Sequence, residues 1–229
     1  NNDNMQSAQG IKDQVEILME DSNILMETLA NSDVVEGMDS SEMRSLLSEA
    51  VKASPTISQI YVMNKSGMQI FITSGTLGNR GDREYFKKAI KGETYFSDAI
   101  ISNSTGKPIV TLAKPIKSNG SIVGVIGASI DLDYLSTIVE KVKVGEEGYG
   151  FIVERNGKII SHPNGDLVAQ MADVSDLQPV QKVMNRETGT TDYIYEEVEK
   201  LASYVYIDKT GWGVVVQIPK EEVFKQLKG

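Results

Sequence analysis

The chain states one structural idea twice. Tyr61-Val62-Met63-Asn64-Lys65-Ser66-Gly67-Met68-Gln69-Ile70-Phe71-Ile72 reads as strand, tight turn, strand. Phe151-Ile152-Val153-Glu154-Arg155-Asn156-Gly157-Lys158-Ile159-Ile160 repeats it, with the turn glycine 90 positions later. A second hairpin echoes in the same way: Asn119-Gly120 separates Ile109–Ile116 from Ile122–Ile130, and Thr210-Gly211 separates Tyr204–Ile207 from Trp212–Ile218, an offset of 91. Two hairpins recurring in order at nearly constant offset indicate a duplicated module rather than one large sheet. The copies differ in side chains, so what they share is architecture.

A chain of 229 residues accommodates two such modules, each large enough to bury a core. Hydrophobic content of 40% and charged content of 24% suit a folded globular protein rather than a disordered one. The net charge of −9, with no cluster of Lys and Arg interleaved with aromatics, argues against nucleic acid as a partner, because phosphate neutralisation needs a positive stripe. Cysteine is absent, which excludes disulfides, thiolate metal sites and a cysteine nucleophile together. No run approaches the roughly 18 apolar residues of a membrane span. The chain begins inside a helical pattern and stops soon after another starts, so a piece of a longer protein is expected.

Ile11, Val15, Leu18, Ser22, Leu25 and Leu29 form a heptad seam along a first helix, flanked by Ile17, Ile24 and Met26. Such a seam packs on its own domain, on a partner helix, or on both. A second helix is expected from Ser40 to about Ala53, ended by Pro55. Strands at about 57–63 and 69–73, a Gly- and Asn-rich loop at 74–81, and a short helix at 83–91 with Asp82 as N-cap and Gly92 as terminator follow. Strands at about 94–101, 108–117 and 121–130 complete a sheet, with Pro108 and Pro115 marking edges or bulges. Asp131 or Asp133 opens the next helix, to about Lys143. The second module is expected as strands at 149–154 and 157–161, a polar stretch, a helix at about 177–185, three strands ending at Ile218, and a last helix from Pro219. The fold class is α+β, each module an antiparallel sheet with helices.

Among chemical motifs the absences inform. There is no GxSxG elbow, no phosphate loop, no HExxH, and a single histidine, His162, which with Pro163 and Asn164 reads as a turn. Paired carboxylates at Asp131 and Asp133 leave a hydrolase conceivable, but helix N-caps account for them more simply, so no enzyme, cofactor or metal is expected. Asn64, Asn103 and Asn119 match the short glycan-acceptor pattern, which carries little weight in a chain this rich in Asn and Ser. Gly81-Asp82-Arg83-Glu84-Tyr85-Phe86 is more pointed. It sets an arginine at the start of a short helix beside two aromatics, after a mobile loop. Such an Arg offers a bidentate fork to a carboxylate between apolar walls, or else pairs with a surface acid while the aromatics fill the core.

Asp82 to Phe86, Gly92 to Ser97, Thr105-Gly106-Lys107-Pro108, Gly124-Val125-Ile126-Gly127 and Ile130 to Leu135 together resemble the double Cache sensor family. Gly145 to Val153 and Ser161-His162-Pro163-Asn164 resemble the membrane-proximal module of its chemoreceptor members. The resemblance covers nearly the whole chain. It implies a long stalk helix (1–32) followed by two stacked PAS-like modules: a membrane-distal, ligand-binding one (33–133) and a proximal one (134–218), with residues 219–229 leading toward the membrane. It further implies an extracellular or periplasmic sensing domain on the cell membrane, between transmembrane helices absent here. The parent would be a methyl-accepting chemotaxis receptor, with a sensor histidine kinase or cyclic-dinucleotide enzyme second; a ligand-free dimerisation or partner-binding module, acting through the first helix as in a homodimer, is the competing class.

Members that bind amino acids carry an Arg for the carboxylate, and tyrosines and an Asp for the ammonium. Arg83 matches that Arg, and Tyr85 and Phe86 stand where the group has Trp and Tyr. Gly78 falls at a Tyr of the group and Ser129 at its Asp. The resemblance therefore implies a ligand site at Arg83, Tyr85, Phe86, Tyr61, Asp98, Ile100, Ser129 and Asp131. An anion clamp lacking the ammonium partner points to a small organic anion over an amino-acid-like ligand, unless Asp98 or Asp131 replaces the missing acid.

Overall fold

The computed structural model describes residues 2–102 and 105–228. Asn103 and Ser104, which carry one of the glycan-acceptor matches, lie outside the described residues. Two compact units emerge, one of Met19–Ile100 and Ile109–Asp131, the other of the chain up to Leu18, Ile101–Pro108 and the chain from Leu132. They are called the first and second modules below.

Helix α1 (Asn2–Ala30) contributes to both units. Its buried positions are Asn4, Ala8, Ile11, Val15, Met19, Ser22, Met26, Leu29 and Ala30, while Leu18 and Leu25 are only half-buried. Met26 thus sits in the seam, not on its flank. A straight helix drifts relative to a strict seven-residue repeat, and over four turns the drift rotates the packing stripe past the expected leucines.

In the first module, α2 (Asp33–Glu36) and α3 (Met43–Ala53) lead into β1 (Ile57–Met63) and β2 (Gln69–Ile72). Helix α4 (Glu84–Ala89), the short strands β3 (Tyr95–Phe96) and β4 (Ile100–Ile101), and the long hairpin β5 (Pro108–Ser118) and β6 (Ser121–Asp131) complete it. The antiparallel order is β2-β1-β6-β5-β3, with β4 also pairing with β5. Alternation divides the sheet into two faces. Helix α3 packs on β1, with the Arg44 guanidinium 5.1 Å above the Phe71 ring. Tyr61, Met63, Ala113 and Val125 face the other way and form a cluster with Phe86 and Ala89 of α4.

The second module holds α5 (Asp133–Glu140), β7 (Tyr149–Val153), β8 (Ile159–Ser161), α6 (Gly165–Ala169), α7 (Gln178–Met184), β9 (Gly189–Tyr195), β10 (Val198–Ile207), β11 (Trp212–Pro219) and α8 (Lys220–Leu227). Its sheet order is β8-β7-β11-β10-β9, the same permutation as in the first module. The Asn4 amide of α1 donates to the Leu201 carbonyl at 3.0 Å.

The duplication holds down to single hydrogen bonds. Gly67 N–H donates to Asn64 O at 3.0 Å, and Gly157 N–H to Glu154 O at 2.8 Å. Arg80 N–H meets Gly67 O at 2.7 Å, as Val174 N–H meets Gly157 O at 3.0 Å. Gly81 N–H bonds the Asn79 side chain at 2.7 Å, and Ser175 N–H the Asp173 side chain at 2.9 Å. Arg83 N–H reaches Arg80 O, and Leu177 N–H reaches Val174 O, both at 3.0 Å. Gly67 has φ +89°, and a Cβ there would lie 2.3 Å from Gly81 Cα, so the turn and the segment crossing it require glycine.

Several helix starts differ from expectation. The residue preceding α4 is Arg83, with no side-chain cap; Asp82 lies one place earlier and pairs with Arg83 instead. Asp131 is the last residue of β6, its N–H given to Thr56 O at 2.9 Å, and the residue at the N-cap of α5 is Leu132, so neither Asp131 nor Asp133 holds the N-cap position. The stretch expected as one strand at 94–101 is two short strands, and the polar stretch after His162 contains α6, capped by Asn164.

Candidate functional site

Strand register builds a site on the α4 side of the first sheet. Across β1, β6 and β5 the pairs Gln59↔Ser129↔Thr111 form one row and Tyr61↔Gly127↔Ala113 the next. Directly paired residues share a face, so Gln59, Tyr61, Thr111, Ser129 and Asp131 all belong to it. Ser129 Oγ donates to Gln59 Oε1 at 3.3 Å, and Gln59 Nε2 donates to Ser74 O at 2.5 Å. The Tyr61 hydroxyl donates to Thr111 Oγ1 at 3.3 Å in a buried bond. Ser97 Oγ accepts from Thr111 N–H at 2.8 Å, tying the loop after β3 to the same row.

Tyr61 can lie flat because position 127 is glycine: a Cβ there would fall 2.5 Å from Tyr61 Cε2. Tyr85 meets the Tyr61 ring edge-on at 6.4 Å. Burial, and then the Tyr85 phenol, push the Tyr61 hydroxyl well above its usual range, so it remains a neutral donor.

The other expected residues are placed as follows. Phe86 is buried and Tyr85 half-buried against the cluster around Tyr61. Arg83 is half-exposed, its Nε 3.7 Å from the Asp82 carboxylate. Ser129 is buried and Asp131 half-buried at the end of β6. Asp98 and Ile100 are exposed in and after the loop that follows β3. Register therefore brings Tyr61, Ser129 and Asp131 onto one face, with Tyr85 and Phe86 packed over it.

Three contributors were not anticipated: Gln59, Thr111 and Arg80. The Arg80 guanidinium folds back so that a Cβ on Gly78 would meet its Nη1 at 2.7 Å, and Nη1 donates to Asn79 O at 3.3 Å. Its charge acts on the Tyr61 hydroxyl. It thus occupies space beside Gly78, the position where amino-acid-binding members were expected to carry a tyrosine.

The matching face of the second module is filled. Register places Tyr149, Phe151, Val215, Gln217, Ala202 and Tyr204 where the first module has Gln59, Tyr61, Gly127, Ser129, Thr111 and Ala113. Phe151, Val215, Ala202 and Tyr204 form one apolar cluster with Val180, Val183 and Tyr193. Gln217 is bonded on both sides, its Nε2 to the Tyr149 hydroxyl at 2.6 Å and its Oε1 by the Tyr193 hydroxyl. His162 lies against Tyr149 and Phe151, at 5.1 and 5.5 Å between ring centres, and accepts the Asn164 N–H at Nδ1. Burial lowers its pKa to about 4, so the ring is neutral.

Comparison with known proteins returns a family model described as "Cache domain", matching residues 1–227. The methyl-accepting chemotaxis protein TlpB of Bacillus subtilis is 31% identical over 134 residues, covering 58% of this chain and 19% of TlpB. McpB of the same organism is 28% identical over 183 residues, 73% of this chain and 27% of McpB. The chain therefore spans about a quarter or less of the curated relatives it matches. Among solved structures, the ligand-binding domain of the Pseudomonas fluorescens chemoreceptor CtaA in complex with L-isoleucine superposes with a TM-score of 0.76 at 18% identity, covering 97% of this chain and 93% of that one. The extracellular domain of rpHK1S-Z16, named as a histidine kinase, gives 0.78 at 14% identity, covering 95% and 93%.

Proposed function

The chain belongs to the Cache domain family, and on that premise we propose that it is the extracytoplasmic sensing part of a membrane-anchored chemotaxis receptor, binding a small organic anion in its first module. The observation that carries the reading is the contrast between two equivalent sheet faces. Where the second module is packed with Val215 and Tyr204, the first has Gly127 and Ala113, and a row of Gln59, Ser129 and Thr111 supplies uncharged hydrogen-bonding groups. A face with small residues at these two positions and a polar row beside arginines suits a polar ligand. On this reading the first module is membrane-distal, Arg83 meets the ligand's carboxylate, and Tyr61, Tyr85 and Phe86 wall the site, with Asp98, Ile100 and Asp131 at its margin. The role is recognition rather than catalysis.

Ser129, whose row contains no carboxylate, favours an anion over an α-amino acid, whose buried ammonium would have Asp131 at the end of the same face as its nearest acid along β6. Helix α1 carries Ile17 and Ile24, one heptad apart and 62% and 55% exposed, which suits a second copy of the chain on that stripe. The similarity to rpHK1S-Z16 favours a histidine kinase parent as the second reading.

A thermal-shift screen of metabolites followed by calorimetry tests the proposal. A ligand at 100 times its Kd adds about 2.7 kcal/mol of stability, readily seen as a melting shift. Arg83→Ala is expected to abolish binding while leaving the ligand-free melting temperature in place, because an exposed ion pair contributes only about 0–1 kcal/mol. Tighter binding of an α-amino acid than of its hydroxy analogue would refute the anion assignment.

A further inference from the structure

We propose that the ligand of the first module is a dianion, clasped between the guanidinium groups of Arg80 and Arg83. The inference rests on the anion reading above and goes further by fixing the charge. It comes from the internal duplication. The backbone around Arg80 and Arg83 is bonded like that around Val174 and Leu177, through the turn glycine, the Asx contact one residue before each first position, and the three-residue turn joining each pair. Matched backbone paths send matched Cα–Cβ bonds in the same direction. In the second module both side chains, Val174 and Leu177, pack against the apolar cluster that fills its sheet face. In the first module the equivalent positions direct two arginines toward the equivalent face, where Gly127 and Ala113 replace Val215 and Tyr204 and the Tyr61 ring lies over Gly127.

Neither arginine is consumed by the fold. Among the described residues the Arg80 side chain pairs with no carboxylate, and its one hydrogen bond runs from Nη1 to the Asn79 carbonyl at 3.3 Å. Among the described residues the Arg83 side chain has only the exposed Asp82 carboxylate, 3.7 Å from Nε and not at hydrogen-bonding distance. Two cations one turn apart repel, and a singly charged ligand would leave one of them without a counter-charge. A ligand with two anionic groups, either a dicarboxylate or a phosphate monoester, satisfies both forks. The neutral row of Gln59, Ser129 and Thr111 then receives the middle of the ligand. The Tyr61 hydroxyl, held protonated by burial, adds no competing charge.

The test is calorimetry on the whole chain with matched probes: succinate against its monoamide, malate against its monoamide, and glycerol phosphate against its monomethyl ester. The dianion of at least one pair is expected to bind about ten- to a hundredfold more tightly than its singly charged partner, the span of one charge-assisted bond. Arg80→Gln should erase that ratio, bringing the dianion's affinity down to that of its singly charged partner. Arg83→Gln should abolish measurable binding of both members of the pair. The carboxylate and phosphate arms separate the two sources. Equal or tighter binding of the singly charged members, or an unchanged ratio in Arg80→Gln, overturns the dianion while leaving the anion reading intact. Failure of every anion, charged once or twice, overturns both.

Discussion

Gly127→Ala probes the first module's face where it differs most from the second. The added methyl would lie 2.5 Å from Tyr61 Cε2, 2.7 Å from Cζ and 3.0 Å from the hydroxyl. Carbon atoms in contact sit roughly 3.5–4.0 Å apart, so the ring must retreat by about 1 Å. It has nowhere easy to go: Tyr61 is 3% exposed and packed among Met63, Phe86, Ala113 and Val125. Overpacking of this kind costs about 1–3 kcal/mol. Retreat also breaks the bond to Thr111, worth about 1 kcal/mol. The sum, about 2–4 kcal/mol, lowers the melting temperature of a domain near 100 residues by roughly 10 °C or more. Scanning calorimetry measures it. Tyr61→Leu, which removes the overlapping atoms, should make the double variant more stable than the two single effects predict, by about 1 kcal/mol or more. If Gly127→Ala melts with the wild type, the ring does not lie over the sheet and the account of the site fails.

Three further outcomes follow from the same structure. His162 is the only histidine, so its NMR signal identifies itself; burial depresses its pKa from 6.5 to about 4, and the resulting stability is complete above pH 6.5 and lost as pH falls toward 4. A measured midpoint above 6 would contradict its place between Tyr149 and Phe151. Lys114, 4% exposed, gives its ammonium to Glu27 at 2.7 Å and to Asn23 at 2.5 Å, and its hydrogen bond is the main cause of the lowered Glu27 pKa. Glu27→Gln is expected to destabilise the first module by on the order of 1 kcal/mol at neutral pH and progressively less in acid, where the wild-type pair is itself lost as pH falls through the depressed Glu27 pKa; a difference that grows on acidification would argue against the pair. Gly67→Ala forces a side chain into φ +89° and against the Gly81 backbone, for a loss of about 2 kcal/mol or more in chemical denaturation.

How far the fold could be read depended on how local each signal was. The hairpin turns at Gly67, Gly120, Gly157 and Gly211 all have positive φ, a demand met within four residues of chain, and so they were visible as a repeat. Helix starts were harder. Asp82, Asp131 and Asp133 all look like N-caps, but a strand end claims Asp131 and an arginine claims Asp82, and neither competitor can be seen from the residue alone. The second module also inserts α6 between its hairpin and α7. The bridge Met68↔Asn79 in the first module becomes Lys158↔Asp173 in the second, so the offset between copies lengthens across that segment. That shift hid the correspondence of Arg80 with Val174.

The candidate site was legible only where its residues are neighbours in sequence. Arg83, Tyr85 and Phe86 stand out as a cluster at a helix start. Gln59, Ser129 and Thr111 do not, because pairing across the sheet brings Ser129 to Gln59 over 70 residues and Tyr61 to Thr111 over 50. Each, taken singly, is an ordinary polar residue in an apolar strand, with no local sign of partners. Yet a buried polar group in a strand interior must find a hydrogen-bond partner or carry a desolvation cost. The buried Ser129 and Thr111, with the half-buried Gln59, set against Gln217, Ala202 and Tyr149 in the other copy, are the trace that the proposed binding face leaves in sequence once the two copies are aligned by their turn glycines. That alignment sets Val174 and Leu177 in one copy against Arg80 and Arg83 in the other, and Val215 and Tyr204 against Gly127 and Ala113.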